Sequence, residues 1–340
     1  MIADKDPSTL GQGQKVINNP DENVGDGLRA TVNPMKNILV LGGTGYVGRQ
    51  VCARLAKAGW RVTVPSRQAE KAAPLRKLSQ LEVVPADVHD EAALAHLLAG
   101  QDAVVNLVAI LHGDAAAFDK VHVELPKKLA RACAAAGVRR LVHISALGAS
   151  TDAPSMYQRS KARGEAALQN AADAGKLDLT MLRPSVIFGA EDKFLNVFAQ
   201  LQRIAPFVPL AGADTRFQPV WVEDVAEAVL RCLQDPATIG QTFDACGPDV
   251  FTLRELVKHA GQWAGVNGGR GRAVFGLPLA VARAQAWLME LAPGEPLMSR
   301  DNLDSMAVDN VASGRMPGLE ALGITTVALA TIAPGYLRKR

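Results

Sequence analysis

From Asn37 onward, short apolar runs alternate with longer stretches in which apolar residues recur at helical spacing. The runs are apolar throughout, which is typical of parallel strands that helices cover on both faces. We predict strands at 38–41, 62–64, 81–84, 103–108, 141–144 and 179–182, and helices at 47–58 and 91–98. Because crossovers between parallel strands are right-handed, the pattern predicts an α/β fold with a doubly wound parallel sheet.

A glycine-rich turn, 42–48, follows the first predicted strand and opens the first predicted helix. Glycines in such a turn let the backbone approach a pyrophosphate, whose charge the helix N-terminus favours. The flanking strand and helix predict a Rossmann-type domain that binds a dinucleotide, with a purely structural turn as the alternative. The predicted contacts are Gly42, Thr44, Gly45, Tyr46, Val47 and Gly48.

The second predicted strand leads into Ser66 and Arg67, where NAD sites usually place an acidic residue that holds the ribose 2′-hydroxyl. A guanidinium there would pair with a 2′-phosphate, so NADP(H) is the preferred cofactor, with NAD(H) as the alternative. Arg67 could also be an ordinary solvated arginine. Further cofactor contacts are assigned to Asp87 and Val88 after the third strand, and to Val108 and Ala109 at the end of the fourth.

Tyr157 and Lys161 lie one helical turn apart, just after the fifth predicted strand. A neighbouring ammonium lowers the pKa of a phenol and can hold the ribose, while the phenol passes a proton to a carbonyl or alkoxide. This spacing also occurs by chance. Its position after a nucleotide-binding sheet favours the catalytic interpretation.

The glycine-rich turn, Tyr157 and Lys161 together resemble the short-chain dehydrogenase/reductase superfamily in its extended form. A closer resemblance is to the NADPH-binding accessory subunit of mitochondrial respiratory complex I and its bacterial relatives, which are atypical members. It rests on the segments 65–67, 143–147, 183–189, 191–196, 218–225 and 316–324. The resemblance implies that Arg67 meets the 2′-phosphate, that Lys161 holds the ribose, and that Pro184 and Ser185 lie near the nicotinamide.

One position departs from the pattern of the active members. They carry Ser or Thr after the fifth strand, where this chain has Ala146, with Ser145 one residue earlier. Since adjacent strand residues face opposite sides, Ser145 is either a third catalytic residue or a structural hydroxyl. Three functions stay open: an oxidoreductase acting on an apolar carbonyl or quinone-like substrate, a non-catalytic subunit that NADPH stabilises, and a sugar-nucleotide epimerase or dehydratase.

The chain is expected to divide into four regions. Residues 1–34 are polar and form a disordered extension, with Met35 as the natural start; residues 35–185 form the NAD(P)-binding Rossmann domain. Residues 186–330, where the strand rhythm weakens, form a smaller, mainly helical lobe for substrate or partner, interleaved with the Rossmann core. Residues 331–340 form a basic tail.

Charge and composition limit the kinds of partner that can be expected. The net charge is only +3 and the basic residues are scattered, so no nucleic acid is expected. Four cysteines and six histidines lack the spacing of metal ligands, so we predict free buried thiols and no metal site. No apolar stretch reaches the roughly 20 residues of a bilayer span. The expected location is the cytoplasm, or the periphery of the membrane's inner face.

An amphipathic helix is predicted to begin near Pro278 and to run to about Leu291. Packing against the lobe is its simplest role. The alternative is contact with a membrane surface, a respiratory partner or an isoprenoid tail, because Trp287 with basic flanks suits an interface.

Overall fold

The computed structural model describes residues 36–68, 70–291, 294, 296 and 298–338. The expected N-terminal extension, 1–34, and the expected start at Met35 lie outside the described residues.

Seven parallel strands form one sheet in the order β11-β6-β5-β4-β1-β2-β3. They are β1 Asn37–Leu41, β2 Arg61–Ser66, β3 Leu81–Pro85, β4 Ala103–Asn106, β5 Arg140–Ile144, β6 Asp178–Pro184 and β11 Thr242–Ala245. Helices cover both faces, so the predicted doubly wound fold of the Rossmann type is confirmed. The predicted strands agree with β1 to β6, except that β4 ends at Asn106 and leaves Val108 and Ala109 in the loop beyond it. The seventh strand, β11, was not predicted.

Eleven helices are present in the described residues. They are α1 Tyr46–Lys57, α2 Glu91–Leu98, α3 Ala115–Asp119, α4 Leu125–Ala136, α5 Met156–Asp173, α6 Leu195–Ile204, α7 Val222–Gln234, α8 Leu253–Trp263, α9 Leu279–Glu290, α10 Arg300–Ser305 and α11 Leu329–Leu337. A π-helical turn, Lys120–Glu124, joins α3 to α4. Helix α9 corresponds to the helix predicted near Pro278, and α11 occupies most of the stretch expected as a basic tail.

Neighbouring side chains of each central strand enter two different cores. Along β1, Ile38 and Val40 pack towards α1 and α7, whereas Leu39 and Leu41 pack towards α2, α4 and α5. Burial on both faces explains why the strands lack polar alternation. The four cysteines are buried and free, and three of them lie in α1, α4 and α7, as predicted.

The C-terminal lobe contains three two-stranded sheets in the described part of the chain. These are β7 Ile187–Phe188 with β10 Val220–Trp221, β8 Phe207–Leu210 with β13 Ala273–Gly276, and β9 Arg216–Phe217 with β12 Phe251–Thr252. The lobe's largest core lies between α6, α8 and α11. No helix among the described residues is long and apolar enough to cross a bilayer.

Helix α5 lies very close to the π-helical turn. A β-carbon built on Gly164 would lie 1.9 Å from the carbonyl oxygen of His122. Only glycine therefore permits this approach, which brings the first two turns of α5 against the chain that follows β4.

Replacing Gly164 with alanine should destabilise the fold although alanine is the better helix former. The new methyl group meets backbone, so we expect a loss of about 1–3 kcal/mol in the free energy of unfolding. Urea denaturation would measure it. Gly335 in α11 is the matched control, because a β-carbon there meets nothing within 4 Å. Gly335→Ala should stabilise by up to about 1 kcal/mol, and equal effects at both positions would contradict this explanation.

Candidate functional site

The glycine-rich turn leaves the N-terminus of α1 open to a ligand. Gly42 has a φ of 82°, and its carbonyl accepts the amide of Gly45 at 3.0 Å. A β-carbon on Gly48 would lie 2.2 Å from the Gly42 oxygen, so glycine is required for helix and turn to pack. Gly45, at the N-cap, has no side chain to occupy the first amides of α1, which suits an anion such as a pyrophosphate.

The side chain of Tyr46 does not extend this anion site. Its hydroxyl is buried and has no hydrogen-bond partner in the described residues. Gly189 makes room for it, because a β-carbon there would lie 2.4 Å from the phenolic oxygen. Burial raises the pKa of Tyr46, and the carboxylate of Asp192 raises it further. A contact between Tyr46 and a dinucleotide would therefore use the backbone.

Arg67 lies just beyond β2 with its side chain 69% exposed. Its closest carboxylate is Asp87, at 3.9 Å, so two of the predicted cofactor residues lie side by side. The amide of His89 donates to Asp87 at 3.0 Å; this bond, and secondarily Arg67, lowers the pKa of Asp87. An exposed contact of this length is weak and leaves the guanidinium donors available to a phosphate. The Ser66 hydroxyl binds the backbone of Gln68.

The loop after β4 touches the glycine-rich turn. A β-carbon on Gly42 would lie 3.0 Å from the carbonyl carbon of Leu107. Asn106 accepts the amide of Val108 at 3.2 Å, and this bond orients the loop. Val108 is half-buried and Ala109 exposed, so both are accessible beside the turn, where the sequence placed them.

Lys161 is almost fully buried in α5, and its ammonium donates to the carbonyl of Ile144 at 2.8 Å. Burial lowers the pKa of Lys161 to about 8, and Glu165 opposes this shift. Tyr157 lies one turn earlier, and burial raises its pKa to about 12. The sequence had suggested that the ammonium would lower the pKa of Tyr157; that expectation is wrong in this structure, because burial dominates.

Ser145 follows β5 with only 4% of its surface exposed. The ladder to β6 continues past the strand, since the amides of Ser145 and Leu147 donate to Leu182 and Pro184. Side-chain alternation therefore places Ser145 on the same face as His143, which lies near Lys161. In the part of the chain that is described, its buried hydroxyl has no partner, and an unsatisfied group of this kind is costly unless a ligand or water satisfies it.

In the sequence, the spacing of the histidines indicates no metal site and suggests no other role, whereas the structure brings one of them, His122, to the site. Its Nε2 accepts the amide of Ile110 at 3.1 Å, so in the neutral ring Nδ1 carries the proton and donates to the Ser160 hydroxyl at 2.8 Å. That hydroxyl donates to the carbonyl of Tyr157 at 2.7 Å. Burial, with Lys161 nearby, lowers the pKa of His122 to about 3, so it is neutral at physiological pH.

Through these bonds, His122 joins the loop after β4 to the first turn of α5. Its ring also meets the Tyr157 ring edge-on at 5.4 Å. A polar residue between Val121 and Val123 was the available signal, but no local pattern indicates what such a residue contacts.

Pro184 ends β6, which pairs with β5, and Ser185 follows it. The Ser185 hydroxyl donates to the side-chain oxygen of Asn310 at 2.6 Å, so any contact with a nicotinamide would use its backbone or Cβ. Their role stays a prediction. Among the described residues, no group of three or more His, Cys, Asp or Glu is placed to hold a metal ion.

A family model described as the NAD dependent epimerase/dehydratase family matches residues 38–246. The chain is 33% identical over 312 residues to NADH dehydrogenase (ubiquinone) 1 alpha subcomplex subunit 9, mitochondrial, of Mus musculus, covering 88% of this chain and 79% of that protein. It is 28% identical over 255 residues to the ceramide reductase of Caulobacter vibrioides, covering 74% and 78%.

Among solved structures, the chain is similar to a dTDP-glucose 4,6-dehydratase from Streptomyces venezuelae with NAD bound. The TM-score is 0.71, with 21% identity and coverage of 88% of this chain and 95% of the dehydratase. At this identity the likeness concerns the fold alone.

The lowered pKa of Lys161 should appear in the pH dependence of stability. Between pH 8 and its usual value of 10.5, the unfolded lysine binds more protons than the folded one, so its contribution to the free energy of unfolding rises with pH. The free energy of unfolding of wild type minus that of Lys161→Met, measured by urea denaturation, should therefore increase across this pH window. Lys176→Met controls for the loss of an exposed lysine, and a flat difference for Lys161→Met would contradict the assignment.

Proposed function

Since the chain belongs to the NAD dependent epimerase/dehydratase family, we propose that it binds NADP(H) across the carboxyl ends of β1, β2, β4 and β5. The observation that carries the cofactor choice is Arg67, which lies exposed beyond β2 where an acidic residue would favour NAD(H). The backbone of 42–48 would hold the pyrophosphate, and Arg67 would hold the 2′-phosphate. Lys161 would hold the nicotinamide ribose.

We further propose an oxidoreductase activity on an apolar carbonyl or quinone-like substrate. The bound dinucleotide would supply the hydride. Tyr157 would exchange a proton with the substrate oxygen. The Ser145 hydroxyl, which has no partner in the described residues, would donate a hydrogen bond to that oxygen. The hydrogen bonds of His122 would hold the first turn of α5 in place during this step.

A non-catalytic role is the second candidate. The replacement of Ser or Thr by Ala146 and the similarity to a mitochondrial complex I subunit favour a chain that NADPH stabilises within a respiratory assembly. In either case we propose the cytoplasm, or the periphery of the membrane's inner face, as its location. The third candidate, a sugar-nucleotide epimerase or dehydratase, draws support from the fold but is weakened by Arg67.

Arg67→Ala should weaken NADPH binding by roughly tenfold to a hundredfold, because hydrogen bonds between charged groups are lost. Binding of NADH should change little, since it has no 2′-phosphate. Titration calorimetry with both dinucleotides measures this difference. Arg61→Ala is the matched control, because Arg61 is exposed at the opposite end of the same strand. Equal losses for NADPH and NADH would refute the assignment of the 2′-phosphate.

Tyr157→Phe should abolish NADPH oxidation by a short-chain quinone or an apolar aldehyde and leave NADPH affinity nearly unchanged, because only the transferable proton is removed. The assay follows absorbance of the reduced nicotinamide, with calorimetry for affinity. If wild type binds NADPH but oxidises it with none of these substrates, the result supports the non-catalytic role. Loss of affinity equal to the loss of turnover would show that the role given to Tyr157 is wrong.

A further inference from the structure

Helix α9 packs with its small residues inward and its large apolar residues outward. Ala282 and Ala286 are buried against Leu303 of α10. On the other side, Leu288 is 61% exposed and Leu291 just after the helix is 64% exposed. A helix that only stabilised the lobe would place its large apolar side chains in the core. The observed arrangement is that of a helix whose apolar side meets something outside the described part of the chain.

Further exposed apolar side chains lie in the two-stranded sheet whose strand β13 precedes α9 in the chain. Strand β8 pairs with β13, and the exposed rings of Phe207 and Phe275 meet edge-on at 6.1 Å. We define the lobe surface as six exposed apolar side chains of β8, β13, α9 and the residue after α9, which are Phe207, Phe275, Leu279, Trp287, Leu288 and Leu291. Large apolar groups exposed in such number mark an interaction site.

Arginines without acidic partners border the lobe surface. Arg203 precedes exposed Ile204 at the end of α6 and donates to the carbonyl of Leu337, which places Arg338 beside it. Arg272 donates to the carbonyl of Gln202 at the same helix end. Arg270 is also exposed. In the described ranges, none of these four arginines forms an ion pair with a carboxylate. Two further basic residues follow Arg338 in the sequence.

In the described part of the chain, acidic residues of α9 and α10 are already compensated. Glu290 pairs with Arg300 at 2.8 Å, and Asp304 pairs with Arg283 at 3.0 Å. The border of the lobe surface is therefore positive. A twofold dimer through this surface would bring two positive borders together, which disfavours self-association.

We propose that the lobe surface binds a lipid bilayer that contains anionic headgroups. The apolar side chains of α9, β8 and β13 enter the interfacial region, where Trp287 is well suited, and the arginines meet the headgroup phosphates. The protein lies on the bilayer and does not cross it. This proposal does not rest on dinucleotide binding, so it can fail or succeed independently of the proposed function.

Flotation of the full chain with lipid vesicles tests the proposal. It should float with vesicles of phosphatidylcholine and phosphatidylglycerol, and much less with phosphatidylcholine alone or at high salt. The double variant Leu288→Gln with Leu291→Gln should lower the partition coefficient at least about tenfold, because both side chains stay in water. Arg270→Glu with Arg338→Glu should lower it by a similar factor, of the order of tenfold, on the anionic vesicles.

Matched controls and solution measurements keep the result unambiguous. Ile239→Gln and Lys176→Glu change an exposed apolar and a basic residue away from the lobe surface, and should leave partitioning unchanged. Thermal melts confirm that each variant folds. Absence of flotation, equal flotation with neutral vesicles, or unchanged partitioning of the double leucine variant would each overturn the proposal. So would a dimer in sedimentation equilibrium that this variant dissociates.

Discussion

The burial of the Lys161 ammonium is the constraint on which the site depends. Because a buried charge is costly unless it is hydrogen-bonded, the bond to the carbonyl of Ile144 fixes α5 against the end of β5. The same helix carries Tyr157, and Gly164 lets it approach the π-helical turn closely enough for His122 to reach Ser160. One buried cation, one missing side chain and one neutral imidazole therefore position the tyrosine together.

Much of the fold could be predicted because burial on both faces leaves a strong local signal. Strands β1 to β6 are short apolar runs, and the loops after β1, β2 and β4 converge since all parallel strands end at one edge. Strand β11 gave no such signal. It is four residues long and contains Asp244, whose carboxylate accepts hydrogen bonds from Ser313, a residue distant in sequence. A carboxylate that tertiary contacts satisfy cannot be distinguished from a loop residue by local pattern.

The candidate site, like the fold, could be predicted from the sequence only in part. The glycine-rich turn, Arg67, Tyr157 and Lys161 could be located from spacing, because their positions follow from strand ends and one helical turn. The direction of the pKa shift of Tyr157 could not be predicted, because it follows from the burial of the phenol in the folded structure. The pairing of Ser185 with Asn310 joins residues 125 positions apart, and the contact of His122 with Tyr157 depends on a π-helical turn. Neither contact could be predicted without the tertiary structure.

The raised pKa of Tyr157 also determines which protonation state this residue brings to the proposed chemistry. A phenol with a pKa of about 12 keeps its proton at neutral pH, so it can donate that proton to the oxygen of a carbonyl that is being reduced. The reverse reaction needs a phenolate, which burial disfavours. Lys161 does not remove this bias, because its ammonium is bound to a carbonyl and is itself destabilised by burial. The same burial that fixes the position of α5 thus keeps Tyr157 protonated at neutral pH, and it does so without affecting the exposed arginine that would select the cofactor.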